Sequence, residues 1–314
     1  MSGNHNSVEG GQAADSWRDV LLRGADKLRF RPGLRYLVPL SKAAVGYRGK
    51  RKPHLLEAEF MAIGGHRDYA VAEGPDGGRY VVMTSDQGLG RIVYAWGVYE
   101  RDQLERAVRK AGVLPGKKLI DVGSNVGTAA ISGVISGWFD GAVTVEADPG
   151  NARMVRTNVA LNGLDGCITC FSCAAGAATG EVSFVSEPVR RGMSRVSKEG
   201  NIRVAVRRVD DMLAEAGVSN SDVGLMWVDT EGFEAEVIAG AGELFETVPW
   251  VLEMRGVFDT TAEVAGLLRG REVWVISEFD RPADRRLREE ELEAIQRGAY
   301  GEISLDLLLM PKNG

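Results

Sequence analysis

The chain has 314 residues, of which 44% are hydrophobic and 26% charged, and its formal net charge is −6. That length can bury a sizeable core as one large domain or two. The acid excess argues against a general nucleic-acid binder, and the lack of any run of eighteen apolar residues gives no transmembrane helix to expect.

The polar start, MSGNHNSVEGGQAADS, has no apolar signal core; residues 1–16 are expected to be a disordered tail, with a cytoplasmic location as the default. Residues 17–30 suggest a short helix. From Lys27 to Lys52 the chain carries nine basic residues and no acid, interleaved with Phe30, Leu34, Tyr36, Leu37, Val38 and Leu40. Such a segment suits peripheral contact with an anionic membrane face, or a phosphorylated acceptor. It equally suits a cap whose apolar side packs on the rest of the chain, and Pro32, Gly33, Pro39 and Gly46 oppose one long amphipathic helix. Two strand-like runs, DYAVAEG and RYVVMTS, flank Pro75-Asp76-Gly77-Gly78, a hairpin turn signal.

A helix over Glu100–Ala111 leads into alternating elements: strand 119–123, helix 126–136, strand 143–147, helix 149–162 and strand 168–174. An insertion over about 180–209 reads as a β-hairpin, EVSFVS and IRVAVRRV, with a polar connection. The series resumes with helix 209–217, strand 223–229, helix 233–246 and strand 249–254, and closes with EVWVIS (272–277) and ISLDLLLM (303–310). Alternation of this kind predicts a mostly parallel sheet covered on both faces.

The chemistry concentrates in Lys118–Asp148. An apolar strand ends in Asp121, a loop carries Gly123 and Gly127, a helix follows, and a second apolar strand closes on Glu146, 25 positions after Asp121. Glycines let backbone approach a ligand, and a loop that opens a helix presents unpaired N–H groups. A carboxylate at the second strand end accepts ribose hydroxyls. The dinucleotide pattern G-x-G-x-x-G is missing its middle glycine, which disfavours NAD. An acid two residues before the first glycine suits a cationic ligand end, a sulfonium with an α-ammonium group. S-adenosylmethionine (SAM) is the expected cofactor, with S-adenosylhomocysteine (SAH) as its product. Asp121, Gly123, Ser124, Asn125 and Gly127 would hold its methionine part and Glu146 its ribose, while Ala147, Cys173 and Ala174 would flank the adenine.

Cys167, Cys170 and Cys173 form C-x₂-C-x₂-C. On a single strand, spacings of three alternate faces, and Cys167 and Cys173 would stand roughly 20 Å apart. Packing thiols are therefore expected rather than a metal cluster.

Several blocks in order, GRIVYAWGVYE (90–100), IDVGSNVG (120–127), VTVEADPGNARMVRTNVALNGL (143–164), VRRVDDML (206–213), WVDTEGFEAEVIAGAGELF (227–245) and VPWVLEMR (248–255), resemble the FkbM-like family of SAM-dependent methyltransferases. The Asp-x-Glu-Gly-x-Glu block is the most specific of them. The resemblance implies the Class I Rossmann-like α/β fold: a seven-stranded, mostly parallel sheet with its last strand antiparallel. An N-terminal α+β accessory region would occupy 17–99 and the SAM-binding domain 100–314. It also implies methyl transfer to a hydroxyl of a sugar, glycolipid or natural product, with Glu100 among the cofactor contacts.

Asp229 and Glu231 are the candidates to orient the acceptor or take its proton, and Asp229 is also the candidate contact to the cofactor at the end of its strand. His66 is held in reserve as a base, although a surface histidine reads as well. Glu253 and Arg255 suit either the acceptor pocket or an internal ion pair, and Glu234 reads as helix N-terminal charge. Oxygen ligands at 229 and 231 raise the question of a divalent cation, but two ligands do not make a site, and only Asp229 is kept as a possible one. A methyltransferase acting on RNA or protein, and a SAM-binding protein without catalysis, remain the other readings. Oligomeric state is not legible.

Overall fold

The computed structural model describes residues 53–312 apart from 65, 257, 259, 280 and 300–302. The expected tail, the helix over 17–30 and the basic segment 27–52 lie outside the described residues.

In chain order the elements are α1 (Pro53–Ile63), β1 (Tyr69–Glu73), β2 (Arg79–Met83), α2 (Leu89–Trp96), α3 (Arg101–Ala111), β3 (Lys118–Val122), α4 (Thr128–Ile135), β4 (Gly141–Val145), α5 (Pro149–Leu161), β5 (Ile168–Phe171), β6 (Ala174–Ala175), β7 (Gly180–Val185), a 3₁₀ turn (Arg191–Met193), β8 (Arg195–Val196) and β9 (Ile202–Arg207). There follow α6 (Val209–Glu215), a second 3₁₀ turn (Asn220–Asp222), β10 (Val223–Val228), α7 (Glu234–Ala239), α8 (Leu244–Thr247), β11 (Trp250–Arg255), α9 (Thr261–Leu267), β12 (Val273–Glu278), β13 (Arg281–Arg286), α10 (Glu289–Gln296) and β14 (Ser304–Leu309).

The large sheet has the order β13-β12-β14-β11-β10-β3-β4-β5. Strands β5, β4, β3, β10 and β11 are parallel, and β14 runs antiparallel between β11 and β12. This is the Rossmann-like methyltransferase sheet with an eighth strand added. That strand, β13, reads RPADRR and pairs antiparallel with β12 at the sheet edge, where proline is tolerated and apolar side chains are not required.

Alternation along the strands assigns side chains to two buried layers. Ile120, Val122, Met226 and Val228 join one core with α6, α7 and α9 residues, whereas Leu119, Leu225 and Trp227 join the other with Phe60, Tyr80, Val93 and Ile131. Asp121 shares the parity of Leu119, so its carboxyl lies on the face that α1, α2 and the β1–β2 hairpin cover. Asn158 of α5 fastens the hairpin there, accepting from the Val81 N–H at 2.6 Å and donating to the carbonyls of Val81 and Val126.

Two expected elements break. The third strand leaves the large sheet after Phe171, and Ala174–Ala175 pair instead with β9 in a four-stranded sheet ordered β6-β9-β7-β8. The expected helix 233–246 divides into α7 and α8: Gly242 between them takes φ 53°, and the chain at Gly240 passes Gly176 so closely that a Cβ would stand 2.1 Å from the Gly176 carbonyl oxygen.

Candidate active site

The glycine loop follows directly from β3. The N–H groups of Gly123 and Ser124 donate to the Val145 carbonyl at 2.8 and 3.3 Å, and Gly127 opens α4 at φ 85°. Gly123 has φ 84°, and a Cβ there would stand 1.7 Å from the Asp229 carbonyl oxygen. Only glycine lets the loop cross the end of β10.

Two adjoining cavities open above the carboxyl ends of the strands, where ligands bind in open α/β sheets. The first spans about 530 Å³ including space open to solvent. Val145, Ala147, Cys173, Ala174, Phe184, Val196 and Phe233 give it an apolar wall, and Glu146 stands at its floor. The chain's departure from the large sheet after Phe171 is what brings Cys173 and Ala174 here. The second cavity spans about 840 Å³ including space open to solvent, and its lining combines the polar Glu100, Asp121, Ser124 and Thr128 with the apolar Leu89, Ile92 and Met193. Gly123, Asn125, Gly192, Asp229 and Glu231 line both.

Glu146 is buried, and its two oxygens accept from the backbone N–H groups of Asn125 and Asp148, each at 2.7 Å. Burial pushes its carboxyl up to about 8 against the pull of those two donors. Asp121 is buried with no hydrogen-bond partner on Oδ2 among the described residues, and burial pushes it up to about 7. Asn125 Oδ1 is unpartnered as well. Burial and the nearby acids Asp306 and Glu253 hold Glu100 well above the usual carboxylate range. Asp229 is raised by burial and then by Glu253 and Glu231. A cationic ligand group entering the second cavity would meet the buried carboxyls of Asp121 and Glu100, neither of which forms an ion pair with Arg255.

Arg255 is the local counter-charge. Its Nε lies 2.7 Å from Glu253 Oε1 and its Nη1 3.6 Å from Glu231 Oε1. Oxygens of Asp229, Glu231 and Glu253 lie within 4.8 Å of one another, a spacing able to hold a divalent cation, but the Arg255 guanidinium already pairs with two of the three and supplies one positive charge there. Burial raises Glu231 to about 7, with Glu253 adding to the rise and Arg255 opposing it. Glu234 stays out of this group: its Oε1 accepts from the N–H groups of Thr230 and Gly232 and from the Thr230 hydroxyl, at 3.1, 3.1 and 2.9 Å, stabilising the turn before α7.

The residues expected from sequence at 100, 121, 123, 124, 125, 146, 147, 173, 174, 229, 231 and 255 therefore converge on the two cavities. Glu253 stands behind them beside Arg255, and Gly127 shapes the loop without lining either space. His66 is not brought to the site. It is exposed in the turn after α1, where its N–H donates to the Ile63 carbonyl, and it lines neither cavity. The cysteines are free thiols: Cys167 bonds the Leu164 carbonyl and Cys173 packs 3.5 Å from the Met212 sulfur. Sequence reading missed Phe184, Arg191, Gly192, Met193 and Val196, all from the insertion, and Leu89 and Ile92 of α2. The insertion's polar connection was the one available signal, since a loop between strands that reach the site becomes its roof.

A family profile described as the methyltransferase FkbM domain matches residues 121–273. Over that segment the chain is similar to the FkbM methyltransferase domain. The matched segment begins at Asp121 and takes in Glu146, Asp229, Glu231, Glu253 and Arg255. No curated protein matches the chain. Among solved structures it is similar to methyltransferase FkbM from Methylobacillus flagellatus (12% identity, 88% of this chain and 60% of that one, TM-score 0.39). It is also similar to the Bacillus subtilis m1A22 tRNA methyltransferase TrmK (12%, 66% and 65%, TM-score 0.37). A third likeness is to M. capricolum TrmK in complex with SAH (10%, 67% and 68%, TM-score 0.38). The chain thus spans about two thirds of the length of the TrmK chains, and 60% of the Methylobacillus one.

Proposed function

We propose that this chain is a SAM-dependent O-methyltransferase acting on a hydroxyl of a carbohydrate, glycolipid or secondary-metabolite acceptor. The observation that carries this reading is the meeting of an apolar slot floored by Glu146 with an acid-walled cavity, at Asp229 and Glu231. The donor set fits SAM. An adenine suits the wall of Ala147, Cys173, Ala174, Phe184 and Phe233, ribose hydroxyls suit Glu146, and the unpartnered Asp121 Oδ2 suits an ammonium group.

When bound, the cofactor supplies an electrophilic methyl group on a sulfonium leaving group. The chain's own task is mainly placement, which can supply most of the acceleration. Asp121 and Glu100 orient the charged end, and Gly123 and Asn125 set the floor between the cavities. Asp229 and Glu231, both raised and both lining the shared opening, are placed to hold the acceptor hydroxyl and take its proton late. Leu89, Ile92 and Met193 offer apolar surface to the acceptor's body, which supports a glycolipid or macrolide-like partner over a small polar one.

The test is calorimetric titration with SAH and with NAD, followed by methyl transfer from labelled SAM to a panel of sugars, glycolipids and macrolides, with bulk tRNA alongside. Micromolar SAH binding with transfer to a hydroxylated small acceptor supports the proposal. Tighter NAD binding, or label appearing in tRNA alone, refutes it.

A further inference from the structure

The loop joining β7 to β8, with its 3₁₀ turn at Arg191–Met193, forms a strap over the candidate site, and Gly192 lines both cavities. No residue from Ser186 to Gly200 is buried, so the strap has no apolar core of its own. Polar tethers hold it at both ends of the site. On the accessory side, the Gln87 N–H donates to the Val189 carbonyl at 2.8 Å, and the Arg191 N–H to buried Asp86 at 3.4 Å. On the cofactor side, Arg191 Nη1 lies 3.1 Å from Asp148 Oδ1 and 3.5 Å from Asn151 Oδ1, and the Ser186 hydroxyl donates to Asp148 Oδ2.

Asp148 is the junction. Its side chain caps α5, accepting from Gly150 and Asn151, while its backbone N–H donates to Glu146 Oε1. The Arg191 guanidinium is 15% exposed and the Asp148 carboxylate 1%, so this ion pair is shielded from solvent where surface pairs are not.

We infer that Arg191 is a positioning residue, a latch that fastens the strap over bound cofactor and steadies the ribose carboxylate Glu146 through Asp148. The inference rests on the reading of the first cavity as the adenosine site. A nucleoside there lies between Glu146–Ala147 and the strap residues Gly192, Ser194 and Val196, so parting of the strap from α5 would free one whole side of it. Elements held by few polar contacts open locally at low cost, which makes the Arg191–Asp148 pair the main brake on release. Because the same residue is tied to Asp86, the latch also joins the accessory elements to cofactor retention.

The experiment measures SAH dissociation by stopped flow for wild type, Arg191→Ala, Arg191→Lys and Arg203→Ala. The last is a control on β9 that lines neither cavity. Hydrogen exchange of residues 186–197 with and without SAH accompanies it. The expected result is release about tenfold faster or more in Arg191→Ala, largely restored in Arg191→Lys and unchanged in Arg203→Ala. SAH should protect the strap amides in wild type but not in Arg191→Ala, and Arg191→Lys, which keeps a cation beside Asp148, should hold the thermal midpoint without SAH near wild type. Equal release rates for wild type and Arg191→Ala, or equal strap protection, would overturn the latch. So would a loss of stability without SAH that accounts for the weakened binding. Failure of wild type to bind SAH at all would instead remove the cofactor reading on which the latch depends.

Discussion

Asp121→Asn should make the protein more stable and a worse binder at once. The carboxyl is buried, and burial raises it from 3.8 to about 7. Its folded-state pKa thus lies above its unfolded value, so the folded chain holds the proton more tightly between the two. Stability is greatest below the unfolded value, falls as pH rises toward about 7, and stays low above it. Three pKa units at 1.36 kcal/mol each put the full penalty near 4 kcal/mol, of which about half accrues between pH 5.5 and 8. An asparagine of the same shape carries no charge to bury. Urea unfolding without cofactor, at pH 5.5 and at pH 8, should show the variant gaining about 2 kcal/mol more on wild type at the higher pH. Calorimetry at pH 8 should show SAM binding weakened about tenfold or more, because the variant no longer offers a carboxylate to the ammonium group. If the two proteins keep the same stability difference at both pH values, or if SAM affinity is unchanged, the assignment of Asp121 as an uncompensated buried acid awaiting a cation is wrong.

The remaining predictions concern neighbouring groups. Glu146 is pushed up to about 8, so SAH affinity should tighten as pH rises through that value, and calorimetry on Glu146→Gln should find this dependence gone and binding weaker. Gly123→Ala would force a Cβ to within 1.7 Å of the Asp229 carbonyl and should cost more than about 4 kcal/mol, visible as lost native circular dichroism or insolubility. Arg255 holds Glu231 down, so Arg255→Ala should move the acidic limb of the pH–rate profile to higher pH; a shift to lower pH, or none, would remove Glu231 as proton acceptor. With the Arg255 guanidinium already paired to Glu231 and Glu253, chelation by EDTA should leave methyl transfer within about twofold, whereas abolition by EDTA and rescue by Mg²⁺ would show a metal requirement.

How far the sequence foretold this site depended on how local each part is. Asp121, the glycine loop and Glu146 lie on one strand–loop–helix–strand unit, where periodicity and glycine placement are read directly. The antiparallel β14 came from family resemblance, since hydrophobic runs carry no direction. β13 was invisible because RPADRR has neither alternation nor apolar content; it is a strand only because β12 offers it an edge. The walls contributed by Phe184, Arg191 and Val196 were illegible for a different reason. Their nearness to Glu146 is set by the β6–β9 pairing, which starts where the third strand quits the large sheet, and no pattern in CITCFSC marks that exit.

Backbone conformation adds what no sequence pattern shows. Glu100, Asn125 and Glu231 adopt positive φ of 58°, 52° and 52°, and among described non-glycine residues only Phe279 joins them. Left-handed backbone at a glutamate is disfavoured, and such strain is kept only where surrounding structure over-determines it. All three residues line the second cavity. Each follows the end of an element or a glycine-containing turn, and the left-handed residue turns its side chain back over the strand ends rather than along the chain. The same bends that cost local stability therefore gather Glu100 and Glu231 around Asp121 and Asp229. An acid-walled cavity of this kind is unfavourable in the empty protein and becomes favourable when a cation enters, as the proposed function requires.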